Sequence, residues 1–407
     1  MKIEIQVNNS VSPSARFVSW APSPCRVRIT DPSGATGANV SVQIASTSAA
    51  SAGAVVFRKG TTGAFAATLT LPVPANGTSV AFFTVGKFGR PSTSPGDVRI
   101  QARVGTTVIE TVPVMVRVRK DANTLTPGER DRVVSAFAQL NNQGTGRFTD
   151  FRDMHTNASS PQAHGAAGFL PWHRAYLLDL ERELQAVDAS VSLPYWRFDR
   201  PAPNLFTREF LGVSDNLGTV RFSPTNPLQF WRTDGVQGIN RRPFFSTTVA
   251  PPGLLNENDT IGLGTRYAVF RNMEGNPHGM AHTSFGGSIS SISTAARDPL
   301  FFLLHCNVDR LWAKWQRKNG RFDPAVAASY DTQASNPIGH RLGDTMWPWN
   351  GITGGQRPPT APGGALANSP VVTAPGPQPL VQSSLDYQGA VNALSRMGFD
   401  YDDVAFA

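Results

Sequence analysis

Cysteine is nearly absent from this chain. Two residues, Cys25 and Cys306, occur in 407, too few for a disulfide framework and without the paired spacing of a zinc finger. Lysine is scarce as well. The excess of 37 Lys and Arg over 29 Asp and Glu is carried mostly by arginine, spread along the chain without a basic run. No helix-turn-helix or ribonucleoprotein signature accompanies it, so the +8 balance reads as a solvated basic surface and no nucleic-acid partner is expected. No apolar run reaches the roughly eighteen residues of a membrane span. The N-terminal stretch has neither an apolar h-region nor a twin Arg, so it does not read as a signal peptide. Cytoplasmic residence is the simplest expectation, with export alongside a partner protein left open. At 40 % hydrophobic and 16 % charged residues, the composition fits a globular protein of about two domains.

What is present divides into four stretches. Residues 1–121 hold short runs such as CRVRIT, NVSVQIAS and DVRIQARV, broken by Pro, Gly and Ser. Alternation within the runs, with turns about every dozen residues, predicts an antiparallel β-sandwich of immunoglobulin-like type. Thr126-Pro127-Gly128-Glu129 then reads as a capping box with Pro at the first helical position. Val133, Val134, Phe137 and Leu140 give the helix that follows an apolar face. From 122 to 350 the chain is expected to be mainly α, with a four-helix-bundle core presenting side chains from facing helices. Residues 351–382 are rich in Gly and Pro and read as an extended segment. Residues 383–407 are expected to dock back on the helical domain.

Six of the seven histidines fall into two groups of three. His278 and His282 are four apart, which sets both imidazoles on one face of a helix. After a Gly/Ser-rich turn, Asp298-Pro299 reads as a helix start. The new helix carries His305, with Phe301 one turn before it and Asp309 one turn after. Upstream, His155, His164 and His173 form the other group, and His173 opens a helix with the apolar stripe Tyr176, Leu177, Leu180 and Leu184. Three converging imidazoles can hold a metal ion, and such a set suits zinc, copper, iron or nickel. The H-E-x-x-H zinc motif is excluded, because Gly279 stands where its Glu is needed. Two three-imidazole sites without a bridging carboxylate favour a redox pair that binds a small diatomic over a hydrolytic pair. His340 belongs to neither group and reads as a surface residue of the loop IGHRLGD.

HGAAGFLPWHRAYLLDLERELQ resembles the first copper motif of the tyrosinase, catechol oxidase and haemocyanin (type 3 copper) family. DPLFFLLHCNVDRLW resembles its second. PHGMAH, SLPYWRFD, DTMWPWN and the closing FDYDDV fit the same family, so the resemblance runs from about 125 to 404 and leaves the N-terminal β-domain outside. It implies a polyphenol oxidase with two copper ions, one on His155, His164 and His173 and the other on His278, His282 and His305. O2 is the implied co-substrate and a small phenolic molecule the substrate. The implied reaction takes o-diphenols or o-aminophenols to quinones, with ortho-hydroxylation of monophenols as a further activity.

Several positions depart from the family pattern. Gln162 stands where many eukaryotic relatives carry a Cys joined by a thioether to the second ligand, so that crosslink is absent. Active tyrosinases often have an Asn directly after the first ligand of the second copper, acting with a nearby Glu on the phenol. Gly279 takes the place of that Asn, while Glu274 is expected to be the catalytic Glu, and weakened hydroxylation follows. Leu304 replaces a frequent His, and Gly279, Thr283 and Leu304 are the expected pocket neighbours. Arg197 replaces the usual Asp of PYWDW. Asp309 is expected to accept a ligand's distal N–H, and Phe301 to pack on a ligand ring. Two alternatives remain: a haemocyanin-like oxygen carrier with an occluded entrance, and a tailoring oxidase of a phenolic biosynthetic intermediate.

Overall fold

The computed structural model describes residues 1–331 and 335–407, and the chain divides into two compact units. The first holds residues 1–118, 369–373 and 396–406; the second holds 119–368 and 374–395.

The strands of the first unit are β1 (Lys2–Val7), β2 (Phe17–Val18), β3 (Ser23–Asp31), β4 (Asn39–Ser48), β5 (Val55–Arg58), β6 (Leu69–Pro74), β7 (Val80–Gly86), β8 (Val98–Val104) and β9 (Thr107–Val116). They form a four-stranded sheet in the order β1-β3-β7-β5 and a five-stranded sheet in the order β2-β9-β8-β4-β6. Pairing is antiparallel except for the two-residue β2, which runs parallel to β9. The period-2 rule fixes which side chains meet. In β3, Cys25, Val27 and Ile29 are buried while Arg26, Arg28 and Thr30 are exposed. With Val42, Ile44, Phe57, Phe82 and Ile100 they make one apolar core. β6 lies at a sheet edge and carries Pro72 and Pro74, residues that cannot extend a ladder to a further strand.

The last 25 residues, expected to dock on the helical domain, divide between the units. Residues 396–406 group with the β unit because their polar groups are satisfied there. An Asp400 carboxylate oxygen accepts from the Trp20 and Ala21 amides, and Arg396 donates to Ser23 Oγ and Asn8 Oδ1.

The helices of the second unit are α1 (Pro127–Leu140), α2 (Phe148–Met154), α3 (Ser160–Ala163), α4 (Phe169–Val187), α5 (Glu257–Ile261), α6 (Tyr267–Phe270), α7 (Met280–Thr283) and α8 (Leu300–Asn319). The capping box at Thr126 and Glu129 is formed, and α1 buries Val133, Val134, Phe137 and Leu140. Asp298 Oδ1 accepts the Leu300 N–H and starts α8, while Gly320 ends it in the left-handed region at φ 63°. The bundle expected from the sequence takes the form of three long helices, α1, α4 and α8. Its remaining side is built from short turns around α7, because Gly-rich loops break the chain there into pieces too short to propagate a helix.

Buried charge locks α4 to α8. Arg119 Nη2 lies 2.9 Å from Glu181 on α4, and its Nη1 lies 3.1 Å from Asp309 on α8. Arg174 Nε donates to the other Asp309 oxygen at 2.6 Å, with its guanidinium 3.8 Å over the Trp312 ring. Among the described residues, no helix is long and apolar enough to cross a membrane.

Candidate metal centre

The six histidines arrive from six short distances of chain. His155 closes α2, His164 closes α3, and His173 sits in the second turn of α4. His278 and His282 stand on adjacent turns at and within α7, and His305 lies in the middle of α8. In each group the three candidate ligand atoms lie within 4.8 Å of one another. His155 Nε2 is 3.3 Å from His164 Nε2, and His282 Nε2 is 3.1 Å from His305 Nε2. The groups share one chamber, for the rings of His173 and His305 stack with centroids 4.2 Å apart.

Backbone carbonyls set four of the rings. Nδ1 of His155 bonds Ile292 O, that of His173 bonds Phe169 O, that of His278 bonds Glu274 O, and that of His282 bonds Ile289 O. A carbonyl only accepts, so these Nδ1 atoms carry the protons and the Nε2 atoms present lone pairs. Nε2 of His173 and of His278 is buried without a hydrogen-bond partner. A buried unpaired lone pair is costly, and a metal ion removes that cost. Burial keeps the imidazoles neutral, reinforced for every ring but His282 by repulsion from its neighbours. His155 is pushed down to about 3, His164 to about 2 and His282 to about 4, while His173, His278 and His305 lie well below the usual range. Six neutral imidazoles with no carboxylate among them are a donor set for a borderline-soft redox ion, and two copper ions fit it.

A cavity of about 250 Å³ opens on the centre. His155, His164, His278 and His282 line it, together with Glu274, Gly279 and Thr283 and with Ile289, Ser290, Ser291, Ile292 and Ala295. Glu274 Oε1 accepts the Gly165 N–H at 2.7 Å, and burial raises its carboxyl above the usual range. Thr283 donates its hydroxyl to Gly279 O at 3.0 Å. A Cβ at Gly279 would meet its nearest neighbour, Glu274 O, at 3.4 Å, an ordinary contact.

Two of the expected neighbours, Leu304 and Asp309, lie elsewhere or act otherwise. Leu304 is fully buried in the core and is not a lining residue, because one helical step from His305 turns its side chain by about 100°. Asp309 accepts from Arg119 and Arg174 instead of a ligand ring, and His305 Nδ1 is left without a partner. Phe301 lies with its ring 4.3 Å from His305 and 4.6 Å from His155, edge-on to the latter. Arg197 pairs with Asp199 and Glu257, away from the cavity.

Two features escaped the sequence. The Gly/Ser-rich turn before α8 supplies the carbonyls of Ile289 and Ile292 to ligands of both groups, and backbone acceptors leave no residue signature. His340, expected at the surface, is completely buried. Its Nε2 bonds Pro161 O at 2.8 Å and its Nδ1 accepts the Gly168 N–H at 2.9 Å. Both partners lie more than 170 residues upstream, so no local pattern around His340 marks them.

Comparison with known proteins agrees with the geometry. The common central domain of tyrosinase matches residues 145–318. The chain is 34 % identical over 264 residues to a tyrosinase of Streptomyces glaucescens, covering 57 % of this chain and 92 % of that one. It is 32 % identical over 268 residues to a tyrosinase of Streptomyces antibioticus, covering 58 % and 94 %. Among solved structures, a functional unit of Octopus haemocyanin superposes with a TM-score of 0.45 at 21 % identity, covering 71 % of this chain and 69 % of that one.

Proposed function

Since the chain belongs to the tyrosinase family and is a dicopper oxidase of the polyphenol oxidase kind, we propose that its substrates are small o-diphenols and o-aminophenols. It oxidises o-diphenols to quinones and o-aminophenols to quinone imines, and hydroxylates monophenols weakly. The overall catechol reaction consumes two o-diphenols and one O2 and releases two quinones and two waters. The observation that carries this reading is Gly279, next to His278 on the cavity wall, where no side-chain amide is available to work with Glu274 on a phenol.

Two copper ions, when bound, supply reversible one-electron chemistry at neighbouring centres. The chain supplies everything else. Its six neutral imidazoles offer lone pairs without a proton to displace first. Glu274, its carboxyl raised by burial, is a stronger base than an exposed carboxylate and takes the proton of an entering hydroxyl. Ile289, Ile292 and Ala295 give the aromatic ring apolar surface, and Gly279 brings no side chain into the cavity. The β unit, with two sheets around one core, supports an immunoglobulin-like sandwich.

Steady-state rates with a monophenol and its matching catechol test the assignment. Fast catechol turnover with slow, lagging hydroxylation is the expected result. Rapid hydroxylation without a lag defeats the substrate reading, and oxygen binding without catechol turnover replaces it with a carrier.

A further inference from the structure

We propose that His340 is a positioning residue for the first copper: it holds the backbone on both sides of His164 and thereby aims that ligand. The proposal rests on the dicopper assignment alone and is independent of which phenol is oxidised.

His164 is the weak point of its triad. Its Nδ1 is buried without a partner, whereas His155 and His173 each have a backbone carbonyl to fix the ring. It also stands at the end of the four-residue α3, which has no side-chain cap. Its direction is therefore set by the loop from 161 to 168. The His340 ring spans that loop, donating to Pro161 O three residues before the ligand and accepting from Gly168 N four residues after it. A Cβ at position 168 would sit 2.5 Å from His340 Nδ1, so the ring reaches this amide only because the residue is glycine. The Gly168 amide is the N-cap of α4, which carries His173 and has no side-chain cap of its own. One imidazole thus ties the α3 turn to the start of α4.

A second contact runs in parallel. Gln162, two residues before the ligand, donates to Ile338 O and Gln356 O and accepts from Arg357 Nη1 at 2.6 Å. Tyr330 OH donates to His340 O, fixing the residue that does the fixing. A residue whose only task was to cap α4 would need one of these bonds; His340 makes one on each flank of a ligand.

Copper affinity measured by competition with a Cu(I) chelator separates positioning from general stability. In a His282→Ala background the first triad is the intact one. There His340→Leu should weaken the remaining copper by about 10- to 100-fold, the usual cost of losing a group that orients a ligand. In a His155→Ala background, where the second triad is intact, the same substitution should leave affinity unchanged. His340→Asn keeps an acceptor for Gly168 and His340→Gln keeps a donor for Pro161, so each should fall between native and Leu. The Cu(II) hyperfine pattern of the first site should shift with His340→Leu and stay in place with Asp179→Asn, an equally buried change on α4. Unchanged affinity in the first background, or equal losses in both, overturns the proposal. Should His340→Leu fail to fold, Asn and Gln carry the same comparison, and native affinity in both overturns it.

Discussion

The two triads present the same three ring nitrogens and are built in opposite ways. The second draws His278 and His282 from adjacent turns and His305 from the middle of a 20-residue helix. The first draws His155 and His164 from the ends of helices of seven and four residues, and only His173 from a long one. Each triad has one ring whose Nδ1 lacks an acceptor, and the difference is clearest there. His305 is held by its own helix and by neighbouring rings, with Phe301 tilted against it at 4.3 Å and His173 stacked on it at 4.2 Å. His164 depends on side chains distant in sequence, namely His340, the Gln162–Arg357 pair and Glu274 on Gly165. A ligand on a long helix inherits its aim from periodic structure; a ligand on a helix end needs tethers.

The largest effect should come where the triads depend on the same group. Asp309 joins Arg174 of α4 to α8 and also accepts from Arg119. Removing one partner of a buried ion pair typically costs about 3–5 kcal/mol. Asp309→Asn is therefore expected to lower unfolding stability by that order in denaturant titrations. Because both long ligand helices are tied to this carboxylate, both coppers should be released together. Sequential release, with the second copper leaving first, would mean that the two halves are stabilised separately.

This difference in construction also explains what could be read from the chain. The i,i+4 pair His278 and His282, the apolar stripe of α4, the capping box of α1 and the alternation in β3 are local patterns, and the structure contains each. The six ligands emerged because histidine is rare here and clusters. What stayed hidden depended on contacts far apart in sequence. Asp309 lies on the expected side of α8, yet nothing in the linear pattern announces that Arg119, 190 residues away, takes its oxygen. His340 bonds partners 179 and 172 residues upstream. Leu304 stands where the family resemblance puts a frequent His beside the third ligand, but neighbours in sequence on a helix point in different directions and it does not line the cavity.

A smaller effect, confined to the first triad's helix, follows from Asp179. Its carboxylate accepts from Trp349 Nε1 and the Ala367 amide, each at 2.8 Å, and burial raises it from 3.8 to about 6. Between these values the folded chain keeps a proton that the unfolded chain has released. The stabilisation is full below the lower value and lost as pH rises through the upper one. Asn cannot titrate, so the native chain's advantage over Asp179→Asn should shrink by about 3 kcal/mol between about pH 4 and pH 7. Denaturant midpoints at four pH values measure it. A constant difference would mean that Asp179 remains ionised in the folded protein.

The smallest effect concerns the wall where the triads meet the substrate. Glu274 bridges them, its carbonyl oxygen on His278 of the second triad and its carboxylate on Gly165, next to His164 of the first. Gly279 faces the same cavity with room for a side chain, since a Cβ there touches only Glu274 O at 3.4 Å. An amide at this position would work with Glu274 to hold a water that relays the phenol proton to the carboxylate, a gain on the scale of one hydrogen bond. Gly279→Asn is thus expected to raise kcat/KM for a monophenol relative to its catechol by roughly two- to tenfold. Catechol oxidation, which needs no such water, should change little. Combining it with Glu274→Gln separates the two jobs of the carboxylate. If the Asn gain survives that substitution, Glu274 acts by holding Gly165 and not by taking the proton; if the gain vanishes while copper stays bound, the base assignment stands.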